Sequence, residues 1–225
     1  MWRRLKSARI SWKCGRIHFV SPDPEYTAKL AAIARVREAA DAAPDAVRVF
    51  YSDEASYYRF PHPGRTWAAK KGGGAGQPSA KHTAGANTKR RIVAALDART
   101  AEVLSHSESR IGVKALGTVL RKLRRAVGTG VRVVLIWDNW PVHFHPEVNR
   151  VAEQQKIELL YVPTYAPWTN PIEKLWKKMR RDVLHLHRKS DQWKALRAQV
   201  EDFLQKLEQP NPDLLRYVGL QQAPV

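Results

Sequence analysis

Three acidic residues stand where a sheet protein places chemistry. Asp53 closes the run Val49-Phe50-Tyr51-Ser52, Asp138 closes Leu135-Ile136-Trp137, and Glu173 lies just inside the stretch opened by Asn170-Pro171. Side chains at strand ends reach the cleft of an open sheet. Three carboxylates converging there suit two divalent cations, Mg2+ or Mn2+, about 4 Å apart, with positions left for phosphate and water. In that chemistry one ion activates an attacking oxygen and the other stabilises the leaving oxygen. Each residue also has a plainer reading. Asp53 suits a turn, and Asp138-Asn139 ahead of Pro141 suits a loop start. Asn170, Pro171 and Glu173 fall at the N-cap, N1 and N3 positions of a capping box. It is their joint occurrence on a basic chain that favours the metal reading. Glu54, beside Asp53, is expected to point elsewhere.

Periodicity supplies the elements that must carry these residues. Asp23-Pro24 starts a helix running to about Ala42, with Tyr26, Leu30, Ile33 and Val36 on one face. Val47–Asp53 alternates as a strand, and strands follow at 91–96 and 101–105 with a turn at 97–100. Between the first two strands lie an aromatic and basic excursion, 57–71, and a loop rich in Gly, Ala, Ser and Thr. A helix is expected over 112–127, ended by Gly128 and Gly130. The apolar run 131–137 reads as a strand buried on both faces. A short helix over 146–155, a strand over 157–162, and helices over 170–187 and 190–208 complete the chain. Three antiparallel strands followed by alternating helix and strand is the ribonuclease H-like order. The expected fold class is α/β, a mixed five-stranded sheet with helices on both faces.

Charge points to the partner. Thirty-nine Lys and Arg against 21 Asp and Glu leave +18 on 225 residues, an excess that calls for a polyanion, DNA or RNA. Lys70, Lys71, Lys81, Lys89, Arg90 and Arg91 cluster on or around the glycine-rich loop. Lys174, Lys177, Lys178 and Arg181 form a stripe opposite Ile172, Leu175, Trp176, Met179 and Val183, as a phosphate track would. No apolar run is long enough to span a membrane and no signal core follows the N-terminus, so a cytoplasmic, nucleoid-associated protein is expected. Cys14 is the single cysteine, which excludes an internal disulfide and a cysteine-based zinc site. His143-x-His145 and His185-x-His187 lack a third partner at zinc-like spacing.

Three motifs carry a family resemblance. They are Val49-Phe50-Tyr51-Ser52-Asp53-Glu54; Val134 to His143, with Trp137-Asp138-Asn139-Trp140-Pro141 at its centre; and Tyr161 to Trp176, containing Asn170-Pro171-Ile172-Glu173. Thirty-four residues lie between Asp138 and Glu173. Over roughly residues 20–220 the chain resembles the catalytic domain of the mariner superfamily of transposases, in its bacterial insertion-sequence branch. That resemblance implies Asp53, Asp138 and Glu173 as catalytic metal ligands for two Mg2+ or Mn2+ ions. It also implies strand cleavage and joining at transposon ends, and TA target sites. Asn139, His143 and Asn170 become accessory candidates. His143 matches a histidine of the family motif and would either orient a phosphate or metal-bound water, or cap the next helix. Trp140 and Trp168 would stack on a base or pack in the core, with packing favoured.

Members of this superfamily carry paired helix-turn-helix domains ahead of the catalytic domain. The expected organisation is therefore a remnant of that region at 1–20 (its stub being Trp2–Trp12), a linker and helix at 21–46, and the catalytic domain at 47–220. A truncated or split gene, or a fragment, would read this way. The expected partners are transposon ends and target DNA, bound as a homodimer. Two other readings stay open: a hydrolysis-only ribonuclease H-like nuclease, and a non-enzymatic nucleic-acid-binding remnant.

Overall fold

The protein was analysed as a computed structural model, which describes residues 7, 19–68, 77–85 and 87–221. A five-stranded sheet of order β3-β2-β1-β4-β5 forms its centre. The strands are β1 (Val47–Tyr58), β2 (Lys89–Asp97), β3 (Val103–Glu108), β4 (Arg132–Trp137) and β5 (Ile157–Tyr161). β2 pairs antiparallel with β1 and β3, whereas β4 pairs parallel with β1 and β5. This is the mixed sheet expected. β4 is buried along Val133–Trp137, as its continuous apolar run demands.

Six α-helices are described: α1 (Tyr26–Ala42), α2 (Val113–Val127), α3 (Pro146–Gln154), α4 (Ile172–Met179), α5 (Trp193–Gln205) and α6 (Pro212–Val218). Alternation along the strands divides the core in two. Val49, Tyr51, Ala55 and Tyr57 of β1 pack with α1, α4, α5 and α6. Phe50 faces the other way, with Leu116, Leu120 and Leu123 of α2 and Val148 and Val151 of α3. Among the described residues, no helix is long and apolar enough to cross a membrane.

Several boundaries differ from expectation, each for a local reason. β1 does not end at Asp53 but stays paired with β2 as far as Tyr58↔Lys89. The helix expected over 170–187 keeps α geometry only to Met179. A π turn, Arg180–Leu184, follows. The chain then leaves the helix because its backbone bonds His62 instead: the His62 N–H donates to Leu184 O and the Leu186 N–H to His62 O, each at 3.0 Å. α6 was not expected. Asn211 caps it by accepting from the Leu214 N–H at 2.8 Å, and Gly219 ends it at φ 81°.

The first helix begins later than Asp23-Pro24 suggests, at Tyr26, with Glu25 at the N-cap and no side-chain cap bond, and Asp23 instead organises the turn ahead of it. Its Oδ1 accepts from the Glu25 N–H at 2.9 Å, while Oδ2 accepts from Lys29 Nζ at 2.8 Å and from the distant Thr164 N–H at 2.7 Å. Ser21 Oγ donates to Thr164 O at 2.6 Å, and Phe19 lies against Trp168. The entering chain is thus fastened to the loop after β5. Of the expected stub at 2–12, all but Ser7 falls outside the described residues.

Candidate active site

Parallel pairing of β1 with β4 stops at Tyr51↔Ile136. Beyond it β1 continues along β2 while β4 ends, and a gap opens between the two central strands. Asp53 and Asp138 stand at that gap. A cleft of about 470 Å³ is lined by Asp53, Asp138 and Glu173, with Asn139, Asn170 and the 162–167 loop. The three carboxylates are therefore brought together, although Asp53 gets there from mid-strand.

Each has its own surroundings. Asp53 Oδ2 accepts from the Trp176 indole N–H at 2.9 Å. Burial, then the charges of Glu173 and Glu54, push its pKa up to about 7, against the pull of the Glu54 N–H and Trp176. Asp138 is opposite in sense. Burial raises its pKa, but hydrogen bonds from His143 and the Trp140 N–H, with the charge of His143, hold it below the usual range. The Trp140 N–H donates to Oδ1 at 3.0 Å, and His143 Nδ1 lies 3.0 Å from Oδ1 while also hydrogen-bonding the Asp138 backbone O at 3.0 Å. Glu173 lies in the first turn of α4 and its carboxylate has no hydrogen-bond partner among the described residues.

The capping box that is the plainer reading of Glu173 does not form. Pro171 occupies the N-cap position, with no side-chain cap bond. Asn170 instead turns its amide across the sheet, and Nδ2 donates to Ser52 O at 3.1 Å. Its Oδ1 is buried without a partner. This bond ties the start of α4 to β1 one residue before Asp53. Asn139 plays a similar part, Nδ2 donating to Val162 O at 2.7 Å and joining the β4 exit to the end of β5.

His143 does not cap the next helix. It is fully buried in a short 3-10 turn, Pro141–Phe144, and does not line the cleft. His145 does the capping, Nδ1 accepting from the Glu147 N–H at 3.2 Å. His143 Nδ1 lies 3.0 Å from Asp138 Oδ1, and Nε2 lies 3.1 Å from Glu54 Oε1. Burial lowers its pKa, but the two carboxylates outweigh that and raise it to about 9. Glu54 does not line the cleft. It does project from the opposite face of β1 to Asp53, yet through His143 it is wired to Asp138. Glu54, Asp138 and His143 offer ligand atoms within 4.8 Å of one another.

The basic residues divide by partner. Arg90 is consumed at the sheet, Nε donating to Ser107 Oγ at 2.9 Å and Nη2 to Ser107 O at 2.8 Å. Lys89 and Arg91, on the other face of β2, line a groove of about 760 Å³ with Arg110 and Trp140. Trp140 is also a wall of the carboxylate cleft. On α4, Lys174 Nζ donates to Val218 O at 2.9 Å. Lys178 and Arg181 both pair with Asp182, at 2.6 and 2.7 Å, and Arg181 lies over Tyr217. Lys177 is exposed, with no partner among the described residues. Lys81 is exposed, 3.9 Å from Asp191. Lys70 and Lys71 lie outside the described residues. Trp168 is half exposed, and Trp140 meets His143 edge-on. Tyr165, exposed at the cleft lip, is held at φ 53°, a conformation L side chains seldom adopt.

Fold and site together define a ribonuclease H-like domain with a carboxylate-lined cleft at its sheet centre. A model of the DDE superfamily endonuclease family matches residues 48–197, and the chain belongs to that family. It is 28% identical over 204 residues to an uncharacterized 39 kDa protein of insertion element IS630 from Shigella sonnei, covering 90% of this chain and 57% of that relative. Among solved structures it superposes on the Mos1 transposase paired-end complex with left transposon end at TM-score 0.69 and 17% identity, covering 97% of this chain and 65% of that one. It matches the catalytic domain of Mos1 mariner transposase at TM-score 0.57 and 15% identity, over 93% and 91% of the two chains. The chain thus spans less than two thirds of the insertion-element relative.

Proposed function

We propose that residues 47–220 form the catalytic unit of an insertion-sequence transposase, which cuts DNA at transposon ends and joins them to a target, with residues 21–46 as its linker and helix. The observation that carries this is the meeting of Asp53, Asp138 and Glu173 in one cleft from three separate elements. The donors fit divalent cations. Asp138 Oδ2 and the Glu173 carboxylate have no hydrogen-bond partner among the described residues, and the crowded charge at Asp53 is of the kind a cation relieves. When bound, a pair of Mg2+ or Mn2+ ions activates the attacking oxygen and stabilises the leaving one. The protein's own part is to hold those carboxylates in place. Trp176 fixes Asp53, the Trp140 N–H and His143 fix Asp138, and Asn170 fixes the helix that presents Glu173.

DNA approaches through phosphate contacts. Lys89, Arg91 and Lys177 are free for this, and the groove that Lys89 and Arg91 line with Arg110 adjoins the cleft through Trp140. Arg90, Lys174, Lys178 and Arg181 are further proposed phosphate contacts, as are Lys70 and Lys71, which lie outside the described residues. The four with internal partners would have to exchange them for phosphate. The relatives named for transposon-end complexes and an insertion element support this reading. Within it belong TA target sites, a homodimer assembled on DNA, and an upstream helix-turn-helix region reading the ends.

The test is cleavage of a pre-formed DNA end in Mg2+ or Mn2+. Asp138→Asn keeps size and removes the anionic ligand, so it should abolish cleavage while the fold survives. Parent-like cleavage by this variant would refute the metal role. Nicked products without joined strands would favour a hydrolysis-only nuclease.

A further inference from the structure

Glu54 and His143 lie behind the cleft, where neither meets DNA nor an ion in the reading above. Their geometry is nevertheless tightly determined. The His143 ring stacks on Trp137 with centroids 4.1 Å apart and planes 2° from parallel. The edge of Trp140 closes a third side, 5.5 Å away at 85°. Both ring nitrogens are engaged, one with Asp138 and one with Glu54. Such a ring can neither slide nor turn. Asp138, by contrast, has a side chain 45% exposed at the cleft, where an unsupported carboxylate would sample several rotamers.

The place of this cluster matters as much as its contacts. Backbone pairing between β1 and β4 ends at Tyr51↔Ile136. Only two residues later each strand must present an aspartate across the gap. The Glu54–His143–Asp138 bridge spans that gap with side chains, and Glu54 is covalently next to Asp53. His143 Nδ1 holds Asp138 at two points, its backbone O and its Oδ1, each at 3.0 Å, and Oδ1 also accepts from the Trp140 N–H, which leaves Oδ2 for the cleft.

We propose that Glu54 and His143 are positioning residues: they take over from the ended β1–β4 ladder and set the separation and orientation of Asp138 relative to Asp53. This inference rests on the carboxylates of the cleft being metal ligands. The bridge atoms lie close enough to hold one ion themselves. An ion there would have to displace both hydrogen bonds of a fully buried ring, which favours the positioning role.

The experiment measures Mn2+ binding to the full chain from the electron paramagnetic resonance signal of free Mn2+, with a thermal melt beside each titration. Glu54→Ala breaks one arm of the bridge, and His143→Asn removes the ring that joins both. Each should weaken Mn2+ binding roughly 10- to 100-fold, the usual effect of losing a group that orients a ligand, at temperatures well below the melt. Glu54→Gln keeps an acceptor for the His143 N–H and should recover most of the lost affinity. Parent-like Mn2+ affinity in Glu54→Ala and His143→Asn, with only a lower melting temperature, would reduce the bridge to packing and overturn the proposal. Failure of Glu54→Gln to recover affinity would overturn it too, pointing to Glu54 as an ion's own ligand. Asp138→Asn is the control. If it also binds Mn2+ like the parent, the metal-site reading itself fails; if it loses Mn2+ while the bridge variants keep it, only the positioning role fails.

Discussion

Asp53 bears the electrostatic cost of the site. Its pKa rises from an ordinary 3.8 to about 7 in the fold, so the folded chain binds that proton more tightly than the unfolded one. Well below pH 3.8 both states are protonated and the group is neutral to stability. As pH rises from there through 7, the unfolded state ionises first and the folded state loses ground, by about 4 kcal/mol at most. We expect the metal-free melting temperature to carry this fall. Asp53→Asn should flatten it and raise the melt near pH 7.5 by on the order of 5–10 °C. Mn2+ should stabilise the parent and not the variant. A pH series with chelator present checks this, and an unchanged pH slope in Asp53→Asn would count against the charge crowding. Asp53, Asp138 and Glu173 were legible because each ends or begins a patterned segment. The Glu54–His143 contact joins residues 89 positions apart and left no local signal. The Trp176 bond could have been suspected, since a tryptophan on the apolar stripe of α4 must find a partner for its N–H.

Periodicity located the elements and missed where tertiary pairing overrode it. β1 looked complete at Asp53 because Asp53 and Glu54 break the apolar pattern, yet β2 holds the strand for five residues more. The helix beginning near Asn170 looked continuous because Val183 keeps the apolar phase. What stops it is the backbone of His62, which no helix signal reports. Gly64 sits beside that junction. A Cβ there would fall 2.0 Å from His185 Nε2 and 2.3 Å from its Cδ2, so close approach, not backbone freedom, requires glycine. Gly64→Ala should cost about 1–3 kcal/mol as an overpacked contact. Adding His185→Ala should return part of that loss, a coupling a double-mutant cycle reads directly. Purely additive melts for the pair would show that the ring moves aside freely.

Over the whole molecule, +18 cannot be balanced from within. Asp182 takes two arginine or lysine partners and Asp97 with Glu102 takes Arg48, yet Lys89, Arg91, Arg110 and Lys177 have no ion pair among the described residues. DNA affinity should therefore depend on counterion release, falling roughly a thousandfold or more between 50 and 200 mM salt if about six phosphates are met. The unpaired cations should matter most. Reversing Lys89, Arg91 and Arg110 to glutamate should weaken binding to end-sequence and scrambled duplexes alike, and more than reversing Lys178 and Arg181. Titrations at two salt concentrations decide it; affinity indifferent to salt would contradict a phosphate-driven surface. Composition showed the need for a polyanion, but not which cations are free. That depends on acids such as Asp182, which come close only once α4 and its π turn are built.

Ser21 and Asp23 grip the backbone of Thr164 at the lip that carries Tyr165. A tether has two ends. Tension or torsion applied to the chain ahead of Phe19, by whatever grasps it, is delivered within a few residues to the rim of the carboxylate cleft. The upstream segment would then act as a lever on the site's aperture. Asp23→Ala and Ser21→Ala should cut that linkage, and amide exchange across 163–168 would speed up as the rim loses its anchor. Unaltered exchange there would mean the rim holds its shape unaided.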